Sequence, residues 1–278
     1  MAFDYNPNTI WISHSSLSDF EKCPRLYYLR NIYRDKNLGN NFRIQVANPY
    51  LSLGEIVHDA IDNYTNRYNP LERNKDKIMY ELSRGWILKK GKIGGFKSDS
   101  QEKEFKDRSV QMAERFLANE NFSKVTIFKA PNFPKKKLFP DKDLVLVGNF
   151  DWIEQYGDGL HIVDFKTGQH EESGDSLQLP IYSILANENL DKPVRKTSYW
   201  YLDKDPEPKE VAMRDLDESL DLVKKRSLAV EKAIKESNYS RHNSENCVFC
   251  QEYESVLKGE SEHVGTDYKR KREVFFVS

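Results

Sequence analysis

The chain has 278 residues, with 43 Lys plus Arg against 44 Asp plus Glu, six His and three Cys. Apolar residues at 38% and aromatics at 12% exclude an intrinsically disordered chain and provide a buried core for one large or two modest domains, at ~150 residues each. A net charge of −1 gives no global pointer to nucleic acid, no run approaches the ~18 apolar residues of a membrane span, and the start MAFDYNPNT lacks the parts of a signal peptide, so a cytoplasmic protein with no membrane partner is expected.

In chain order, Leu17, Phe20, Leu26, Tyr27 and Leu29 recur at helical spacing after a Ser16-x-x-Asp19 start, predicting a helix over 15–31 interrupted near Pro24. Ser52 with Glu55 has the capping-box form, and Ile56, Val57, Ala60, Ile61 and Tyr64 mark an apolar face running to about Tyr68, with His58 on this helix. Helices are expected over about 75–90 and 101–120, joined by a flexible Gly-rich connector at 91–95. From there β-branched and aromatic residues take over, predicting strands at 124–129, 144–153 and 160–166, with a Pro-bounded loop holding Lys135, Lys136 and Lys137. A helix over 176–188, strands at 196–202 and 209–213 and a charged helix at 215–237 follow. The order helices, sheet with inserted helix, helix suggests an α+β or mixed α/β fold.

The segment Tyr156-Gly157-Asp158-Gly159 tolerates the positive φ of a hairpin turn. With Gly157 and Asp158 as the two loop residues, Asp151 stands opposite Asp164. Opposed side chains share a face with Cβ atoms ~5 Å apart, where like charges are unfavourable unless a cation compensates. A loop at Asp158-Gly159 puts Asp151 opposite Lys166 instead, still on the face of Asp164; a three-residue loop would break the cluster. Two carboxylates with open water positions suit Mg²⁺ or Mn²⁺ in phosphate chemistry, and a neighbouring Lys166 can orient water and stabilise charge on phosphate. The alternative is a solvated hairpin face with Lys166 as an ion-pair partner. The flanking Ile162, Val163 and Phe165 favour the first reading, since charges on a half-buried strand need a compensating partner.

Four motifs stand in order: Gly54-Glu55-Ile56-Val57-His58, Gly148-Asn149-Phe150-Asp151, Asp164-Phe165-Lys166-Thr167-Gly168 and Gln178-Leu179-Pro180-Ile181-Tyr182. On these the chain resembles the RecB-like branch of the PD-(D/E)XK nuclease superfamily, which includes CRISPR-adaptation and recombination-repair nucleases. The resemblance implies a restriction-endonuclease-like core, a central mixed β-sheet with a catalytic hairpin flanked by helices. It implies a single domain over 1–278, with a helical part (about 15–120), a nuclease core (about 124–237) and a Cys-containing tail (238–278). By that resemblance His58, Asp151, Asp164 and the Phe165 carbonyl bind the divalent ion, Lys166 positions the attacking water, and Gln178 and Tyr182 lie one helical turn apart beside the scissile strand. Glu55 is read first as a capping residue, otherwise as a support of the site. The implied activity is a metal-dependent DNA nuclease, an exonuclease by the family's leaning, in repair, recombination or mobile-element processing. The alternatives are a non-catalytic DNA-binding or scaffold subunit of a helicase–nuclease complex and a non-nuclease metal hydrolase. No G-x-x-x-x-G-K-[ST] loop is present, so a helicase would be a separate partner.

Cys23 and the pair Cys247-Val248-Phe249-Cys250 read as metal or cluster ligands rather than as a disulfide framework. Family members with a 4Fe–4S cluster join one such N-terminal cysteine to a C-terminal C-x-x-C and a fourth cysteine shortly beyond it. That fourth position is Val256 here. His242, or less directly His263, could complete a Cys₃His site for Zn²⁺ or a cluster; a three-cysteine cluster with an external ligand, or thiols that merely pack, are the other readings. Lys135, Lys136, Lys137 and the run Lys269-Arg270-Lys271-Arg272 are candidate phosphate contacts for DNA.

Overall fold

The computed structural model describes residues 6, 8–125, 128, 133–241 and 247–278. Strand β1 (Ile10–Ile12) leads into helix α1 (His14–Lys22), which opens at Ser13: the Ser13 hydroxyl accepts from Ser16 N–H while Ser16 Oγ accepts from Ser13 N–H. The expected start at Ser16 is therefore one turn late. Asp19 is drawn inward by Arg30 at 2.6 Å and Asn31 at 3.1 Å instead of serving the backbone. Pro24 breaks the helix as expected and begins α2 (Pro24–Tyr27), which runs on into a π-helical turn.

After β2 (Arg43–Val46) comes α3 (Pro49–Arg67), capped by Asn48, whose side chain accepts from the N–H of Tyr50 and Leu51. Ser52 and Glu55 do not form the expected capping box, because Pro49, with its preset φ and missing N–H, starts the helix earlier. Helices α4 (Lys75–Leu88) and α5 (Asp99–Ala118) start at Asn74 and Ser98, whose side chains accept backbone N–H bonds. The glycine segment between them is a packed joint, not a flexible connector. Gly95 has φ 86° and lies so close to the Ala47–Asn48 backbone that an added Cβ would come within 2.6 Å of it.

A short α6 (Glu120–Ser123) follows, and Lys124, expected to begin a strand, caps it; half of that predicted strand lies outside the described residues. The lysine run expected in a loop is strand β3 (Lys135–Lys137), antiparallel to β4 (Leu144–Val147). The hairpin of β5 (Trp152–Tyr156) and β6 (Gly159–Lys166) has the expected two-residue turn, pairing Tyr156 with Gly159 and Trp152 with Val163. Next are α7 (Gln178–Asn189), β7 (Val194–Tyr201), β8 (Lys209–Val211), α8 (Leu216–Lys235), α9 (Gln251–Leu257), β9 (Glu262–Asp267) and β10 (Arg272–Phe276). The single strand expected over 144–153 is two strands in two sheets. Between them Gly148 passes under α7, where an added Cβ would stand 3.0 Å from Leu185 Cδ1.

The main sheet has the order β5-β6-β7-β8, with β6 antiparallel to β5 and parallel to β7. Seven of the eight β6 residues are buried, since helices cover both faces. Period-2 alternation sends Val163 and Phe165, with Trp152 and Trp200, against α3, α4 and α5, and sends Leu160 and Ile162, with Ile153, against α7 and α8. This mixed α/β architecture agrees with the expected fold class. Two three-stranded sheets, β1-β4-β3 and β2-β10-β9, complete it; β1, β2, β9 and β10 had no counterpart in the sequence reading. Among the described residues no helix is long and apolar enough to cross a membrane.

The tail is fastened to the first helices by Glu254, which takes Arg25 Nε at 2.7 Å and Arg241 at 2.8 Å. Burial raises the Glu254 pKa, but its two arginines more than offset this and hold it below the ordinary glutamate range. A lowered carboxylate pKa gives stability that is present above the unfolded value and lost as pH falls through the folded one. Glu254→Gln should therefore cost about 1–2 kcal/mol in denaturant unfolding at pH 7, and its deficit against the parent chain should shrink below about pH 4.

Candidate active site

Asp151 precedes β5, and the hairpin register places it opposite Asp164 on β6. Its two oxygens are both engaged: Oδ2 accepts from Phe165 N–H at 3.0 Å, and Oδ1 accepts from His58 Nδ1 at 3.0 Å. His58 arrives from α3, in the layer on the other side of the sheet, and its ring packs edge-on against Phe165. Asp164 and Lys166 point toward α7, where Gln178 Nε2 donates to Asp164 Oδ1 at 2.5 Å and Gln178 Oε1 accepts from Lys166 Nζ at 2.5 Å. Gln178 Nε2 also lies 3.3 Å from the Tyr182 hydroxyl, as the one-turn spacing on α7 requires. The structure thus brings together His58, Asp151, Asp164, Lys166, Gln178 and Tyr182, from four separate segments.

The electrostatics are those of a site short of positive charge. The Asp164 side chain is 1% exposed; burial, then the neighbouring Asp151 charge, push its pKa up to about 7. Lys166 Nζ stands 3.0 Å from the buried Asp164 Oδ2 as its ion-pair partner. Burial alone would lower the His58 pKa, but the Asp151 carboxylate more than offsets it and raises it to about 9. A proton on His58 and one on Asp164 thus take up charge that a cation would otherwise neutralise. Two carboxylates and an imidazole brought together with excess negative charge fit a hard divalent ion such as Mg²⁺ or Mn²⁺. The His58 and Asp151 side chains are 32% and 19% exposed, so the site is open to solvent from their side.

Two neighbours were missed in the sequence. Glu172, in the loop after β6, pairs with Lys166 Nζ at 3.0 Å, and its backbone N–H donates to the Tyr201 hydroxyl at 2.8 Å. Nothing in the pair Glu171-Glu172 marks which one faces inward; Glu171 turns out to Lys204 and Lys209. His14, at the start of α1, is pushed down to about 4 by burial and by the Lys166 charge, and it stays neutral there. Only the fold brings it near.

The other flagged residues lie elsewhere. Lys136 pairs with Glu188, and the Lys137 ammonium donates to the Pro140 carbonyl, while the Lys135 main chain exchanges hydrogen bonds with Asn189. In the β9–β10 turn, Lys269 and Arg270 reach Asp59 on α3 at 3.0 and 2.9 Å, and Arg270 also approaches Glu55 at 3.4 Å. Lys89 joins Glu55 at 2.7 Å and Asp267 at 3.2 Å. Glu55 is therefore an ion-pair anchor of α3, not a cap. Lys271 takes φ 53° in the same turn, and Arg272 donates to the Arg30 carbonyl at 3.3 Å. Cys23, Cys247 and Cys250 gather in a third core, with their sulfurs within 4.8 Å of one another. His242 lies outside the described residues, and His263 is committed to Glu273 at 2.7 Å.

A hairpin that sets two carboxylates and a lysine beneath a helix-borne histidine, on a mixed sheet covered by helices, has the layout of a nuclease. Residues 11–255 match the family model of the PD-(D/E)XK nuclease superfamily, and the chain belongs to that superfamily. In fold it is similar to a crystal structure from Eubacterium rectale described as "Putative exonuclease", with a TM-score of 0.52, 12% identity and 87% of each chain covered. No curated protein matches the chain. Nucleases of this superfamily generally use divalent metals.

One consequence can be measured on the chelated protein. An aspartate whose pKa is raised from the ordinary value to about 7 weakens the fold progressively as pH rises between those values, since the folded state prefers the protonated form. Asp164→Asn mimics that form. In denaturant unfolding with EDTA the variant should be more stable than the parent at pH 8, by on the order of 1 kcal/mol or more, with the gap closing toward pH 4.

Proposed function

We propose that this chain is a divalent-metal-dependent DNA nuclease that hydrolyses phosphodiester bonds by attack of water. The observation that carries the reading is the meeting of the buried Asp164 carboxylate with Asp151 and His58, with Lys166 alongside. His58, Asp151, Asp164 and the Phe165 carbonyl would hold Mg²⁺ or Mn²⁺. When bound, such an ion polarises a phosphoryl oxygen and acidifies a coordinated water.

The chain's own groups supply the rest. Lys166 carries its ammonium within a clamp of Asp164, Glu172 and Gln178, so its charge is fixed where negative charge grows on the attacked phosphate. Its pKa stays far above neutrality, because those carboxylates outweigh the burial that would lower it. It therefore orients water by donating hydrogen bonds and does not act as a base. Gln178 ties Lys166 to Asp164 and fixes their separation, and Tyr182 stands beside that amide as the next polar group toward a bound strand. For phosphate contacts we favour Lys137 and Lys271 over Lys136, Lys269 and Arg270, whose charges already face carboxylates. Exonucleolytic action in repair, recombination or mobile-element processing, with a helicase as a separate partner, follows the leaning of the RecB-like branch.

The test is release of labelled nucleotides from linear single- and double-stranded DNA, against circular controls, with Mg²⁺, Mn²⁺ or EDTA. Cleavage should require metal and fall by roughly 10²-fold or more in Asp164→Ala and Lys166→Ala. Glu172→Gln should lose about tenfold in kcat with little change in KM, because it loosens the lysine without touching DNA. A wild-type protein that binds DNA and cuts none of these substrates with either metal would instead be a binding or scaffold subunit.

A further inference from the structure

Cys23 and the pair Cys247 and Cys250 are separated by most of the chain and meet in one apolar pocket. Cys23 ends α1, Cys250 begins α9, and Leu26, Ile44, Val46 and Phe275 surround them. The three side chains are 0%, 5% and 1% exposed, and all three sulfurs lie within 4.8 Å of one another.

The four-cysteine cluster implied by the family does not fit this pocket. Val256 stands at the fourth position, buried in the same core, and among the described residues no further thiol, imidazole or carboxylate joins the three. The spacing of the sulfurs is a separate argument. A cubane cluster places each cysteine on a different iron at a separate corner, which holds the sulfurs wide apart. One tetrahedral ion with bonds of about 2.3 Å to sulfur holds its sulfur ligands only ~3.8 Å apart, inside the limit observed here.

Burial and the two neighbouring sulfurs push the Cys250 thiol up to about 12, so its thiolate needs a cation beside it. In the tight turn that the C-x-x-C spacing makes, Cys250 N–H donates to the Cys247 carbonyl at 3.2 Å, and Cys250 Sγ lies 3.8 Å from the same oxygen. Arg241, paired with Glu254 at 2.8 Å, brings its positive charge near Cys250 and Cys23.

We propose that Cys23, Cys247 and Cys250 bind a single zinc ion as thiolates, releasing their protons to solvent and leaving the fourth tetrahedral position to water, in a mononuclear site that ties the first helices to the C-terminal tail. The reading is independent of the hairpin site. Its test begins with the purified full-length protein, where one zinc per chain and no iron or acid-labile sulfide is expected. The reduced apo-protein is then titrated with Co²⁺, whose sulfur-to-metal charge-transfer absorption reports thiolate ligation and not the carboxylates of the hairpin. One equivalent should develop that absorption and be displaced by one equivalent of Zn²⁺. The band should survive in Asp164→Asn and be lost in Cys23→Ser and in Cys250→Ser. Iron with stoichiometric sulfide in the purified protein would overturn the proposal in favour of a cluster. Cobalt uptake without a charge-transfer band in the wild type would overturn it in favour of packed thiols.

Discussion

Two carboxylates set against each other at the end of a buried hairpin form the constraint around which this molecule is arranged. Asp151 and Asp164 are forced onto one face by a two-residue turn, and neither can move without shifting the register of a strand buried on both sides. Their mutual repulsion is answered from every direction. Phe165 offers an N–H, Gln178 an amide, and His58 and Lys166 offer positive charge. Even so, burial and the Asp151 charge push the Asp164 carboxyl up to about 7. A protein that keeps such a conflict in its interior retains it for chemistry, since an apolar pair there would be more stable.

The sheet lets two separate helical layers serve one site. Odd residues of β6 face α3, α4 and α5; even residues face α7 and α8. His58 belongs to the first layer and Gln178 and Tyr182 to the second, so the site can form only after both layers have docked. Helix α3 is fixed further by ions beyond its own core: Asp59, next to His58, is held by Lys269 and Arg270 from the β9–β10 turn, and Glu55 by Lys89 and Arg270. A basic run that looks like a nucleic-acid patch in sequence thus contributes two of its cations to placing the helix that carries the histidine.

How much of this was legible in the sequence depends on the range of the interaction. Period-2 and helical patterns located α3, α4, α5, β6, α7, β7 and α8, because each buries a continuous apolar face. Of the turn placements that the sequence allows, the structure adopts the Gly157-Asp158 loop, whose register sets Asp151 opposite Asp164. Caps were misplaced where a nearby proline or an inward ion pair outcompeted the local motif, as at Asn48 and Asp19. Strands β1 and β2 were missed because they are short and their partners lie far along the chain, and the neighbouring pair β9 and β10 because charged residues interrupt its apolar pattern. Glu172 and His14 were invisible because a single titratable residue in a loop or at a helix start has no pattern until the fold brings Lys166 beside it.

The parallel pairing of β10 with β2 joins residues 272–275 to residues 43–46. In a growing chain β2 therefore waits for its partner until nearly all of the sequence above has been synthesised, and the pocket that holds Cys23 stays open to solvent for as long. Contacts of such long sequence separation form late and slowly. The hairpin and its flanking helices, whose contacts are more local, can be assembled before that closure. The last stretch of sequence then acts as a latch that seals the N-terminal core and, through Arg270, sets α3 in its final position.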